Sequence, residues 1–422
     1  MAAAFWLVLA LAAGGLDLSG AARQPPSTEV VAQISVHGNL LTPEDEVIRL
    51  AGVQIGMSFE PSTIETVTAR LRSARRFEKV EVLKRFASIA DPSQIILVIL
   101  VDDGHVNVDW QTGAVKEPIL AKVRVPHLMY LPILDSEDGY GFTYGVQIAT
   151  PNPIGRRSRL AFPLTWGGDK YAGVELEKNF DRGPFTRVES GTSFSRRRNP
   201  FFKENDDRGR VWIRGERAFA RSLRAGATTS WNHAEFFQLS DSFASVGGDV
   251  EFDTRIDPVL PRNAVYLRAA WDHLSFETID ANRTTLDGRG YIGLFGQTML
   301  AVRALRQDSN KPLPPYLKPL LGGMANLRGF EAGSATGDTL VAGAAELFVP
   351  LTSPLNVGQL GVSGFVDVAT VYDKGARFRD QELERGVGGS VWFTAAFIRL
   401  NLAVAHGLGA NTRVHFGTTV SF

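Results

Sequence analysis

The sequence contains no cysteine. Disulfides, thiolate nucleophiles and thiolate metal sites are excluded, although this alone does not fix a compartment. Net charge is missing too: 45 basic residues balance 45 acidic ones, so no overall field favours nucleic acid or an acidic substrate. The seven histidines are scattered, with no His-Glu-x-x-His pair and no other metal-ligand spacing. No Gly-x-Ser-x-Gly elbow occurs, which removes the anchor for a lipase or esterase site. Gly288-Arg289-Gly290-Tyr291-Ile292-Gly293 spells a dinucleotide fingerprint, but no helical pattern follows it and no αβ unit surrounds it, so it reads as a glycine-rich strand. No enzyme activity, cofactor, metal or nucleic-acid partner is expected.

Long apolar runs are also scarce. Phe5 to Ala13 is the one such run, about 10 residues against the roughly 20 that span a bilayer. Small residues follow at Ser19-Gly20-Ala21-Ala22, so residues 1–22 read as a secretory signal peptide, although no Lys or Arg precedes Arg23. No later segment is continuous enough for a transmembrane helix, so any membrane domain must be a β-barrel. What is abundant agrees with that without proving it. There are 42 glycines, 10% aromatics and a mean hydropathy near zero, which suit a membrane barrel and a soluble all-β protein alike. At 422 residues, two domains are the default unless one is a large barrel.

After a linker at 24–28, residues 29–103 carry an αβ pattern. Val30, Ile34 and Val36 suggest a strand ending at Gly38-Asn39. Thr42-Pro43-Glu44-Asp45 reads as an N-cap with proline at the first helical position, and Glu60-Pro61-Ser62 opens a second helix with Ile64, Val67 and Leu71 on one face. Alternation at Val80 and Val82 and the β-branched run Gln94 to Val101 complete a β-α-α-β-β order.

From about His105 the helical periodicity disappears, and 104–138 reads as a connection. Beyond it, segments alternate in polarity and are divided by Gly, Pro, Asn and Asp. Candidate strands fall near 139–150, 156–166, 169–179, 185–195, 208–219, 221–232, 243–254 and 262–274. The series continues near 284–295, 297–306, 316–322, 339–350, 358–371, 385–395, 397–407 and 412–422, about sixteen in all, an even number suited to a single-chain barrel. Gly167-Gly168 and Ala395-Ala396 read as periplasmic turns; 196–207, with Arg196-Arg197-Arg198, and 323–338 read as external or inward-folded loops.

Strand phase then picks out a site. Phe365, Asp367 and Ala369 share a face opposite Val366 and Val368, and Glu346 is out of phase with Leu347 and Val349. Both carboxylates turn inward if the valines meet lipid. Nearby in sequence lies Gly322-Gly323-Met324-Ala325-Asn326-Leu327-Arg328-Gly329-Phe330, whose Arg328 can satisfy both with charge-assisted bonds.

Two resemblances attach to these residues. Ile34 to Asn39, Gly56 with Phe59, Phe77-Glu78-Lys79-Val80 and Ile95 to Asp102 resemble a POTRA (polypeptide-transport-associated) domain. Leu327-Arg328-Gly329-Phe330 resembles the Val/Ile-Arg-Gly-Phe/Tyr signature in the sixth external loop of BamA-like outer-membrane assembly factors, the bacterial surface antigen family. Gly364-Phe365-Val366-Asp367 and Glu346-Leu347-Phe348-Val349-Pro350-Leu351 are similar to that family's partner strands. Asp253-Thr254-Arg255 with Pro258 and Pro261, and Gly386-Val387-Gly388-Gly389, add matches in the right order. Leu327 and Ala369 depart mildly from the commonest residues. The ending His415-Phe416-Gly417-Thr418-Thr419-Val420-Ser421-Phe422 fits the terminal signal of outer-membrane barrels, with His415, Gly417, Val420 and Phe422 at the marked positions.

The resemblance implies a mainly β protein: a sixteen-stranded transmembrane antiparallel barrel (139–422) preceded by one small α+β POTRA domain (29–103) in the periplasm. Arg328, Gly329, Phe330, Phe365, Asp367 and Glu346 would form a lock in its lumen. It further implies an assembly or translocation factor working on unfolded outer-membrane or secreted polypeptides, in contact with the lipid bilayer and with periplasmic assembly partners. A dedicated two-partner secretion pore and a passive channel or surface antigen are the alternatives.

Overall fold

A computed structural model describes residues 29–37, 39, 42–74, 76–77, 79–87, 91, 93–102, 128–256, 261–352, 358–395 and 398–420. The expected signal peptide, the linker at 24–28, most of the connection, Pro258, Ala396 and Phe422 lie outside the described residues. The chain divides into two units, a small one and a large one.

In the small unit the β-branched run forms the middle of a sheet. Strands β1 (Val30–His37), β2 (Lys79–Phe86) and β3 (Gln94–Asp102) lie in the order β1-β3-β2, with β1 parallel and β2 antiparallel to β3. Ile95, Leu97 and Ile99 alternate onto one face and are fully buried. They meet Val47 of α1 (Glu44–Ala51) and Val67 and Leu71 of α2 (Pro61–Ser73) in one core. Helix α1 starts one residue later than its proline suggests: Pro43 occupies the cap, Glu44, Asp45 and Glu46 fill the first turn, and Gly52 ends it at φ 65°. Helix α2 opens with Pro61 and a capping box between Glu60 and Thr63. Truncating Leu71 would leave a cavity in this core, at about 2–5 kcal/mol.

The large unit is one closed antiparallel barrel of sixteen strands, each paired with its neighbours in sequence. The first eight are β4 (Met129–Glu137), β5 (Gly141–Pro151), β6 (Ser158–Gly167), β7 (Asp169–Asn179), β8 (Arg187–Arg198), β9 (Asn205–Ala218), β10 (Leu223–Phe236) and β11 (Leu239–Asp253). Then come β12 (Ala264–Phe276), β13 (Asp280–Gly293) and β14 (Met299–Ser309). A loop holding the two-residue strands β15 (Leu320–Leu321) and β16 (Ala335–Thr336) follows. The wall resumes with β17 (Thr339–Thr352), β18 (Gly358–Tyr372), β19 (Glu384–Ala395), β20 (Ile398–Gly407) and β21 (Thr412–Val420).

The total of sixteen matches the sequence reading, but two assignments differ. Met129–Glu137, expected within the connection, is the first strand, so 139–150 becomes the second. Residues 316–322, expected as a wall strand, lie in the loop, where Leu321 is buried with Leu327 and Leu340. Their apolar pattern reflects burial inside the barrel, not lipid contact. Counting strands also moves Gly167-Gly168: that turn shares an end with the 199–204 turn and the 310–338 loop, so it is not on the opposite rim. Arg196-Arg197-Arg198 ends β8, with Arg196 paired bidentately to Asp207 of β9.

Period-2 alternation decides which side is greasy. On β9, Val211 and Ile213 are exposed on the outside while Arg210, Trp212 and Arg214 line the interior. On β18, Val366 is 57% exposed while Phe365, Asp367 and Ala369 are buried. On β21, Val414 and Phe416 face out and His415 is buried. The interior holds a cavity of about 1090 Å³ whose charges are largely paired, as in Arg214–Asp249 and Arg283–Asp272, while Arg289 and Arg303 share Asp287. Apolar outside and charged inside inverts the arrangement of a water-soluble protein. Among the described residues no helix is long and apolar enough to cross a membrane.

The barrel closes unevenly. Strands β10 and β11 are paired at every residue from Leu223–Phe252 to Phe236–Leu239. Among the described residues the closing pair, β21 with β4, shares two partners: Thr418–Ser136 and Thr419–Asp135.

Candidate functional site: an inward loop beside the seam

The loop joining β14 to β17 runs through the lumen and is fastened to two walls. At one end Tyr316 donates its hydroxyl to Asp241 at 2.7 Å, and its carbonyl accepts from Arg208 at 2.5 Å. Around it Phe236, Phe243, Leu274 and Leu313 form a buried cluster. Asp338, 1% exposed, receives the Leu313 amide at 2.8 Å and the Lys374 amide at 2.9 Å, which holds the loop base. At the other end the glycine-rich stretch folds into a tight turn. Asn326 pins it, accepting from the Gly322 amide at 2.8 Å and donating to the Leu320 carbonyl at 2.9 Å. Gly322 has φ 102°, and a Cβ there would lie 1.9 Å from the Glu331 carbonyl oxygen, so only glycine fits.

This turn delivers Arg328 to the wall. Its Nε and Nη2 donate to the two oxygens of Asp367, each at 2.7 Å, and its backbone amide donates to Asp367 Oδ2 at 3.0 Å. Nη1 reaches Glu346 Oε2 at 2.7 Å, and the guanidinium carbon lies 3.4 Å from the centre of the Phe365 ring. Glu346 is held in turn by Ser363, whose hydroxyl also meets Ser390. Arg328 and Asp367 side chains are 8% and 3% exposed, so the pair is desolvated, and each guanidinium nitrogen donates to a carboxylate oxygen. Removing either partner would strand a buried charge, at about 3–5 kcal/mol. Among the described residues no group of His, Asp or Glu could hold a metal.

The wall is shaped to receive the loop backbone. A Cβ at Gly386 would sit 1.9 Å from the Arg328 carbonyl oxygen, and one at Gly407 would meet the Phe330 ring at 2.7 Å, while one at Gly388 would meet Phe365 of the neighbouring wall strand at 2.7 Å. Gly329 itself has φ 93°, with Gly407 N at 2.6 Å from where its Cβ would be. The Gly329 amide donates to His415 Nε2 on β21 at 2.9 Å, and the other ring nitrogen of His415 bonds Asp138, just beyond β4.

Of the residues picked from sequence, Arg328, Gly329, Phe330, Phe365, Asp367 and Glu346 come together at one point. His415, chosen as part of a terminal pattern, joins them through Gly329. Gly417 faces Met324 of the loop, with 3.6 Å between its would-be Cβ and Cε. Val420 ends β21, and Phe422 is outside the described residues. Asp253 and Arg255 pair with each other at 2.8 Å on the opposite rim and take no part in the site. Sequence reasoning missed Asp138, Ser363, Ser390, Gly407 and the Tyr316 anchor. Only the phase of Ser363 with Phe365 and Asp367 signalled any of them.

Residues 203–422 match the Omp85 superfamily domain. The chain belongs to the Omp85 superfamily. No curated protein sequence matches it. Among solved structures it is similar to BamA from Haemophilus ducreyi lacking POTRA domains 1–3, with a TM-score of 0.61 at 14% identity, over 93% of this chain and 84% of that one. It is also similar to CdiB from Escherichia coli (TM-score 0.53, 12% identity, 96% and 92% covered) and to CdiB from Acinetobacter baumannii (0.51, 12%, 94% and 74%). At these identities the likeness is one of fold. It places the inward loop of this Omp85 chain in a BamA-like barrel of sixteen strands.

Proposed function

We propose that this protein is an outer-membrane assembly or translocation factor whose barrel seam opens so that unfolded polypeptide strands can pair with its edges. The small unit is read as a periplasmic POTRA domain that receives clients or assembly partners. One observation carries the reading: β21 and β4 share two residue pairs, while β20 and β21 pair at every residue from Ile398–Val420 to His406–Thr412. Residues Met129 to Leu134 of β4 thus have β5 on one side and no strand partner on the other among the described residues. An unpaired edge is a template for another strand, because its amides and carbonyls have no water to bond in a bilayer.

A secretion pore or passive channel would send its cargo through the lumen. The loop fastened at Tyr316 and at Arg328 crosses that space, which favours the lateral route. A liposome assay tests this. With the purified protein in the bilayer, an unfolded outer-membrane barrel should insert about ten-fold faster or more, the change produced by some 1.4 kcal/mol off a barrier. Ion flux without faster insertion would overturn the proposal in favour of a channel.

A further inference from the structure

The geometry points to His415 and Asp138 as a latch that, with the inward loop, holds the seam shut at the long-loop end, so that opening starts from Met129. This inference rests on the lateral-seam reading and gives that opening a direction.

Hydrogen-bond chemistry fixes the latch's form. The Gly329 amide can only donate, so His415 Nε2 must be the lone-pair nitrogen. Nδ1 therefore carries the proton and donates it to Asp138 Oδ2. One buried ring, 2% exposed, thus joins three elements: the last strand, the turn after the first strand, and the loop carrying Arg328. The bridge crosses the seam beside its two backbone pairs, where few other bonds share the load.

The loop touches the other margin of the seam as well. A Cβ at Gly139, in the β4–β5 turn, would lie 2.6 Å from Ala332 Cβ, and one at Gly323 would lie 3.0 Å from Asp138 Oδ2. Both lips of the seam are therefore in contact with one loop, which Asp367 and Glu346 fasten to β18 and β17. At the far end of β4, Met129 to Leu134 include Pro132, a residue with no amide hydrogen, found in sheets mostly on edges. One end of the seam is bolted, and the other has no strand partner among the described residues.

Amide hydrogen exchange on the intact protein in lipid nanodiscs, with no client present, reads the latch directly. Asp138→Ala should make peptides spanning 135–137 and 416–420 exchange about ten-fold faster, since exchange there follows local opening. Peptides from the β19–β20 ladder should stay at the wild-type rate. His415→Ala should match it, and His415→Gln, which keeps an acceptor and a donor, should restore much of the protection. Asp138 lies in a turn outside every ladder, so the barrel should tolerate its loss. If His415→Ala fails to fold, Asp138→Ala and Asp138→Asn decide the matter. Unchanged seam exchange in the Asp138 variants overturns the latch, as does equal acceleration in β19–β20, which marks general loosening. Loss of the latch with faster insertion intact would leave the assembly reading standing, and the converse would leave the latch.

Discussion

Strand β21 has two edges, and they differ in kind. Toward β20 every residue from Thr412 to Val420 has a partner; toward β4 two do. A ladder hydrogen bond contributes about 1 kcal/mol net, so the difference between the edges amounts to several kcal/mol. A barrel with sixteen equal ladders would have no reason to open at one place. This one concentrates its weakness at a single join and sets its best-bonded buried charge cluster beside it. The contrast teaches that closure here depends on side chains and a loop where elsewhere it depends on backbone.

Four substitutions test that contrast. Arg328→Ala should be the most damaging, with a loss of about 3–5 kcal/mol in urea unfolding, since Asp367 is left buried and uncompensated. Asp367→Ala should cost a similar amount and the double mutant less than the sum, because both remove one interaction. Full additivity would show that the two residues act separately. Gly386→Ala should come next, at about 1–3 kcal/mol, because its methyl meets the Arg328 carbonyl and lifts the loop off the wall. Its exchange signature should match that of a weakened seam. Gly364→Ala, on the same β18–β19 ladder, has nothing within 4 Å of the new methyl and should stay within about 0.5 kcal/mol of wild type. Equal effects from the two glycine changes would refute the steric account of the loop seat.

Much of this was legible in the residues. Alternation set the barrel class and turned Asp367 and Glu346 inward, because a period of two leaves each strand one choice of face. The β-α-α-β-β order of the small unit followed from β-branched runs and proline caps. The first strand escaped because Pro132 sits in its middle, where a ladder strand seldom has one; the unpaired edge that tolerates it cannot be seen in a sequence. Residues 316–322 misled for a different reason: a short apolar run buried by a loop has much the same composition as one facing lipid. Asp138 and His415 lie 277 residues apart, and no local pattern couples them. Gly386 was noticed within a motif, but its purpose, a flat seat for the Arg328 carbonyl, needed the loop in place.

Under the proposed function, this seam must open for the protein to work. Because the chain has no cysteine, Ser136→Cys with Thr418→Cys places one thiol pair across the join. With the disulfide formed, acceleration of barrel insertion into liposomes should fall to the rate of protein-free vesicles and return on reduction. Full acceleration by the cross-linked protein would mean that the barrel works with its seam closed.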